Sequence, residues 1–371
     1  MKKQLLAAAV AATMASVSSV SMADISIKGD AHLEYANIED GINAAGARVA
    51  DTSANTSRQR VRLHITGKSG DTTVKLGLRN DGATRVSGGE RGNAEAAAEG
   101  SGRGASVSAA LNVDYLFLTT KIGALNIKAG DWWDSTGLGV ARKGRPATDR
   151  VEFSTKVGGW KVALETGADS SSTVLSASGK VNGFAIKLEH DTNANASGIG
   201  ASDAGSYTDV SVKGKVGAVG IAAEYFAGNL DDNADADASV VHLWTKASGV
   251  TWHVAYAQTD AGKTTLAGGN SKFSPLGVSI LATAPGANGA GAIGNFGNAD
   301  DTVAGVRADF KLAGMGVQVA AGNLSLANDA IDDSFYDIIV KRSLGKGSSI
   351  QFSRGSFNDV DSTAAKVSVK F

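Results

Sequence analysis

Arg58, Arg60, Arg62 and His64 stand at alternate positions of one short run, with Val61, Leu63 and Ile65 between and after them. Lys75 and Arg79 follow, alternating with Val74, Leu76 and Leu78. Side chains two residues apart share one side of an extended strand, so these runs are two strands with a cationic face and a hydrocarbon face. Pairing across the turn-like Gly67-Lys68-Ser69-Gly70 in simple register sets Arg60 opposite Arg79 and His64 opposite Lys75. Facing cations destabilise an ordinary sheet. They become tolerable where water solvates them and mobile anions screen them. The chemistry on offer is anion attraction. A second basic cluster, Arg142, Lys143 and Arg145, lies beside Asp134 and Asp149 in "DSTGLGVARKGRPATDR", after Lys128 in "LNIKAGDWW".

Catalytic and metal chemistry find no comparable footing. Gly289, Gly291 and Gly294 fit G-x-G-x-x-G, but inside a Gly/Ala-rich stretch with no strand before it and no helix after it. "DDNADADAS" sets Asp231, Asn233, Asp235 and Asp237 at alternate positions, yet it lacks the glycine of a calcium loop and carries His242 at the twelfth place. The reading is a solvated acidic loop, 231–237, with divalent ions bridging it to lipopolysaccharide as the alternative. The five histidines show no H-E-x-x-H spacing, no G-x-S-x-G occurs, and there is no cysteine. No enzyme activity, cofactor, metal or nucleic-acid partner is expected.

The elements that must carry the cations are strands. Tight turns recur at "KSGD" (68–71), "IGAL" (122–125), "VGGW" (157–160), "VNGF" (181–184), "VGAVG" (216–220), "ASGV" (247–250), "AGMG" (313–316) and "LGKGSS" (344–349). Alternating segments of about ten residues flank each turn, the pattern of a transmembrane β-barrel. With the terminal strands "DISIKGDAHLEY" and "AAKVSVKF" the expectation is an all-β, closed antiparallel barrel of 18 strands, 16 being the alternative. The short turns belong on the periplasmic side and the long, uneven loops outside. The one helix-like patch is "NAEAAAEG" at 93–100, too short to stand alone. Residues 1–23 read as a secretory signal peptide, with Lys2 and Lys3, an apolar stretch from Leu5 to Ala15, and a Ser21-Met22-Ala23 cleavage site. Residues 24–371 form a single barrel. A water-soluble sandwich would share the alternation but not so many regular strands.

The lipid-facing side is legible. Ile25, Ile27, Leu33 and Tyr35 share a face, as do Trp160, Val162 and Leu164, and Val250, Trp252, Val254 and Tyr256. Tryptophans near the tight turns and tyrosines at the far strand ends sit at the two levels of aromatic girdles. Nine segments are assigned to outer loops: 38–55, 81–110, 132–149, 169–172, 193–205, 230–237, 260–300, 327–333 and 358–362. They sum to about −13, leaving strands and tight turns near +10. A lipid face admits almost no charge, so the excess belongs inside. The inward acids Asp30, Glu34, Glu152 and Glu165 could offset it.

The signal segment, the immediate strand "DISIKG", the alternating hairpins and the last strand "AAKVSVKF" together resemble Gram-negative porins. The resemblance implies a homotrimer in outer-membrane lipid and lipopolysaccharide. It also implies a third loop, here within 132–149, that folds into the lumen, and a terminal Phe371 recognised by the barrel-assembly machinery. Many general porins set loop carboxylates against an arginine wall. The basic loop here departs from that and favours anions. The eighteen-strand count is similar to specific porins, whose sugar paths are lined by aromatics; only Trp132 and Trp133 hint at such a run. The functional expectation is a passive, weakly anion-selective diffusion channel for small hydrophilic solutes in the Gram-negative outer membrane. A substrate-selective channel for a small anion or sugar is the alternative, and an adhesin or structural barrel is the third reading.

Overall fold

The structure, a computed structural model, describes residues 25–42, 48–81, 85–86, 112–138, 143–144, 150–167, 173–192, 205–231, 234–260, 302–326, 331–357 and 360–371. Eighteen strands make the wall. They are β1 (Ile25–Ile42), β2 (Arg48–Ser69), β3 (Thr72–Asp81), β4 (Asn112–Ile122), β5 (Leu125–Asp131) and β6 (Arg150–Val157). Then come β7 (Trp160–Gly167), β8 (Thr173–Val181), β9 (Phe184–Asp191), β10 (Ser206–Val216), β11 (Val219–Asp231) and β12 (Ala234–Ala247). The last third is β13 (Val250–Asp260), β14 (Thr302–Leu312), β15 (Met315–Leu326), β16 (Ile331–Gly345), β17 (Ser348–Phe357) and β18 (Val360–Lys370). Each pairs antiparallel with its chain neighbours, and β18 returns to β1, with Asp30 opposite Lys370 and Ile38 opposite Ser362. The barrel is therefore closed and has no free edge, the arrangement expected from the hairpin count.

A single-layer wall offers shelter only inside. Buried Glu34, Ser154, Asp209, Glu224, Asp337 and Ser353 mark the inward face, and exposed Ile27, Leu33, Val157, Val254, Val306 and Phe352 the outward one. These sets alternate along the strands, as the side-chain period requires. The three outward triads and quartets read from sequence lie on the apolar side. Aromatic rings on both faces lie flat over glycine. A Cβ on Gly29 would meet Phe371, one on Gly77 Tyr115, one on Gly179 Trp160, and one on Gly220 Trp244.

All eight tight turns are present as two-residue hairpins, and they fix the register. At "VNGF" both central residues, Asn182 and Gly183, have positive φ (49° and 85°), the twist that joins antiparallel strands without splaying them. The first turn differs from the simple expectation. Its central pair is Gly70-Asp71, with Gly70 at φ 56°, so Ser69 faces Thr72. Arg62, not Arg60, then faces Arg79; Arg60 faces Asp81, His64 faces Gly77, and Lys75 faces Thr66. The slip is two residues, so every side chain keeps its face.

Strands also reach further than assigned. β1 and β2 run through most of 38–55. The supposed acidic loop is mostly ladder, with Asp235 opposite Asn229 and Asp237 opposite Ala227 on β11. Alternate residues of that ladder share one side of the strand. The patch 93–100, the stretch 289–294, and residues 1–23 lie outside the described residues.

Candidate functional site

The cationic hairpin is the wall of the site, and most of its charges are partnered. The Arg62 guanidinium grips Asp30 of β1, with Nε 3.0 and 3.1 Å from the two carboxylate oxygens, and His64 Nε2 lies 3.5 Å from the same carboxylate. Arg79 pairs with Asp114 at 3.3 Å. Register brings these groups together: Asp30 is directly opposite Arg62, Lys28 opposite His64, and Glu34 opposite Arg58. The remaining inward acids named from sequence are also paired. Glu34 holds Lys366, Glu152 holds Lys161, and Glu165 holds Arg150. A charge balance taken loop by loop could not anticipate this, because partners lie on neighbouring strands. Lys75 differs from them: its side chain is exposed and makes no ion pair among the described residues.

Beside the cations stands an aromatic ladder that the sequence reading missed. His64 stacks on Tyr115 with ring centres 6.0 Å apart, and its Nδ1 is 2.8 Å from the Tyr115 hydroxyl. Tyr115 is 5.8 Å from Phe117, and Phe117 6.1 Å from Trp132. The signal was the alternate pair Tyr115 and Phe117 in "DYLFL", but parity alone does not say which face they take. A register shift between Gly77 and Leu78 settles it, pairing Gly77 with Tyr115 while Leu78 pairs with Val113. A bulge of this kind re-aims side chains, here turning Tyr115 inward and leaving Val113 outward. Cations interleave with the rings. Lys75 Nζ lies 5.8 Å from the Phe117 centre, and Lys128 Nζ 4.8 Å from Phe117 and 3.9 Å from Trp132. Such contacts attract the cation to the ring face.

Trp132 is locked. It is 2% exposed, and Arg150 covers its ring at 3.8 Å while donating to its backbone carbonyl at 2.8 Å. Arg150 in turn bonds Glu165 at 2.6 Å. From this anchor the chain leaves the wall. Thr136 is fully buried, the Leu138 N–H donates to Glu224 on β11, and Gly137, at φ 50°, lies so close to Asp209 and Glu224 that a Cβ would collide with both carboxylates. Residues 136–138 thus pack on the inward faces of β10 and β11. Asp134 pairs with Gly144 and Ser135 with Lys143 in a small two-stranded sheet. The side chains of Arg58, Asp134 and Lys143, and all of Arg142 and Arg145, lie outside the described residues. A further inward polar group is the pair His242 and His253, 2.9 Å apart, with Arg307 and Asp309 beside His253.

Phe371 closes the ring rather than lining it. Its N–H donates to the Gly29 carbonyl at 3.0 Å, its carbonyl accepts from the Gly29 N–H at 2.8 Å, and its exposed ring lies over that glycine on the outer face.

No protein-family model and no curated protein matches this sequence. Solved structures do match it in shape. OccK10 (OpdN) of Pseudomonas aeruginosa aligns with TM-score 0.62 at 12% identity, over 94% of this chain and 99% of that one. A BenF-like porin from Pseudomonas fluorescens Pf-5 gives 0.61 at 13%, over 94% and 99%. OpdK of Pseudomonas aeruginosa, solved with vanillate, gives 0.59 at 14%, over 93% and 98%. At such identities the likeness is one of architecture: this chain has the barrel fold of these porins.

Proposed function

We propose that this chain is an outer-membrane porin, exported by its signal segment 1–23, that passes small hydrophilic solutes by passive diffusion with a weak preference for anions. One observation carries the reading. A closed wall of 18 strands turns an apolar face outward and a charged face inward, and barrels of this width enclose water unless plugged. The preference is weak because Arg62, Arg79, Arg150 and Lys366 are each matched by a carboxylate. Lys75, exposed beside the Phe117 ring and without an ion pair among the described residues, supplies surplus charge. Arg58, Arg60, Arg142, Lys143 and Arg145 are assigned to the same path, with loop 132–149 narrowing it from its anchor on Asp209 and Glu224. Homotrimer formation, contact with lipopolysaccharide and recognition of Phe371 by the assembly machinery belong to the same proposal. The test is a reversal potential under a salt gradient in a planar bilayer. The wild type should favour anions, and Arg60→Ala/Arg62→Ala/Arg79→Ala should lose that preference. A cation-selective wild type, or an unchanged triple variant, refutes the assignment.

The aromatic ladder favours a second, narrower reading as a channel selective for small anions that carry a ring. His64, Tyr115, Phe117 and Trp132 offer stacking surface beside Lys75 and Lys128. OpdK has been solved with the aromatic acid vanillate. Liposome swelling should then run faster with vanillate than with an aliphatic carboxylate of similar size, and Tyr115→Ala/Phe117→Ala should erase the difference.

A further inference from the structure

The inward face at the seam of the barrel holds a recess of about 270 Å³. Five strands build it. Asp30 and His32 come from β1, Arg60 and Arg62 from β2, and Lys341 from β16. Ser349 and Gln351 come from β17, and Lys366, Ser368 and Lys370 from β18. Five cationic side chains therefore converge on a space with one carboxylate in its lining, Asp30. Two of the cations are positioned by neighbours: Arg62 by Asp30, and Lys366 by Glu34 at 3.1 Å. Lys341 and Lys370 have no ion-pair partner among the described residues. Ser349, Ser368 and Gln351 add neutral donors. Donors thus approach from several directions, whereas a planar carboxylate presents only two oxygens.

We propose that this recess is a binding site for a tetrahedral oxyanion, either inorganic phosphate or the phosphate group of a small monoester. A dianion offsets the charge excess better than a monoanion, and three or four oxygens can take donors from both sides of the seam at once. Arg60 and Arg62 present guanidinium forks suited to phosphate oxygens, and Lys341 and Lys370 act as point charges opposite them. The inference rests on the water-filled interior proposed above and names the anion held at this one place in it. The recess reaches Gly347 in the last tight turn, and through Asp30 it adjoins His64, where the ladder begins.

The experiment has two independent readouts. In planar bilayers, inorganic phosphate added at pH 8 should reduce the chloride current to a plateau. Lys341→Gln/Lys370→Gln should raise the half-blocking concentration at least about tenfold, as loss of one or more charged hydrogen bonds requires. Lys341→Arg/Lys370→Arg should keep the block. Lys121→Gln/Lys156→Gln removes two inward charges from other strands and should leave it intact. Isothermal titration of detergent-solubilised protein with phosphate, glycerol 3-phosphate and acetate gives the second readout. Binding of phosphate alone identifies the free ion, binding of both phosphates identifies the group, and acetate should not bind. A conducting channel whose current phosphate never saturates, or equal block in the glutamine variant, overturns the site. A protein that binds phosphate in titration but never conducts refutes the channel reading and leaves the site standing. Absence of titratable binding refutes the site in either case.

Discussion

Asp30 is the most informative single charge in the wall. Its carboxylate accepts from Arg62 at 3.0 and 3.1 Å and faces His64 Nε2 at 3.5 Å, so it masks the cations that would attract anions. Asp30→Asn removes one negative charge, keeps the shape and leaves Arg62 unmasked. For an ion passing at about 6 Å from the carboxylate, one charge contributes about 0.7 kcal/mol in water. Screening at 0.1 M salt cuts this to about 0.4 kcal/mol. The change acts with opposite sign on anions and cations, so their permeability ratio should move toward anions by about 3.5-fold at 0.1 M. At 1 M, where screening acts over about 3 Å, the shift should shrink to about 1.4-fold. The assay is the reversal potential of wild type and variant at both ionic strengths, with unchanged heat-modifiable mobility as the check on folding. An unmoved ratio at low salt, a move toward cations, or a shift that ignores salt would refute the reasoning.

Other expectations follow from the anchors. Arg150→Ala strips a nearly buried ion pair and the cover of Trp132, so the barrel should lose about 3 kcal/mol in denaturant unfolding and Trp132 fluorescence should shift red. Gly137→Val places a branched side chain at φ 50° against Asp209 and Glu224, so the Leu138 amide should exchange faster with deuterium while wall amides stay protected; equal protection would show that 136–138 is held by something else. Deleting Phe371 removes the Gly29 backbone pair and the ring above it, so the folded fraction in outer-membrane extracts should fall; unchanged insertion counts against its role. Gly77→Ala should tilt Tyr115 off the wall and lower single-channel conductance.

The wall was legible because its signal is local. Each hairpin announces itself by two turn residues between alternating segments, and "VNGF" or "VGGW" needs no knowledge of the rest of the chain. The site was legible only in part, since its chemistry depends on which strand lies alongside. Arg62 meets Asp30 across 32 residues, and Lys366 meets Glu34 across the seam. The aromatic ladder depends on one bulge that no composition rule announces. Arg150 stood in plain view at the end of a basic loop, but its task, clamping Trp132, requires the contact itself. The first turn shows how small the error can be. Placing its centre at Gly70-Asp71 shifts the pairing by two residues and changes every partner, yet leaves every face intact.

The pairing of β1 with β18 also sets an order of events. These are the first and last strands of the wall, so their ladder cannot form until β18 has been made. Until then both edges expose unpaired backbone groups, a template for wrong partners. Joining ends so distant in sequence is slow compared with zipping one hairpin. The Gly29–Phe371 pair belongs to this seam. Arg60, Arg62 and Asp30 are made early, and Lys341, Lys366 and Lys370 late, so the recess they share comes into being only when the ring shuts. An anion lodged there would bind the shut ring and not its open precursor, and would favour completion by mass action. Its uptake would time ring closure during refolding.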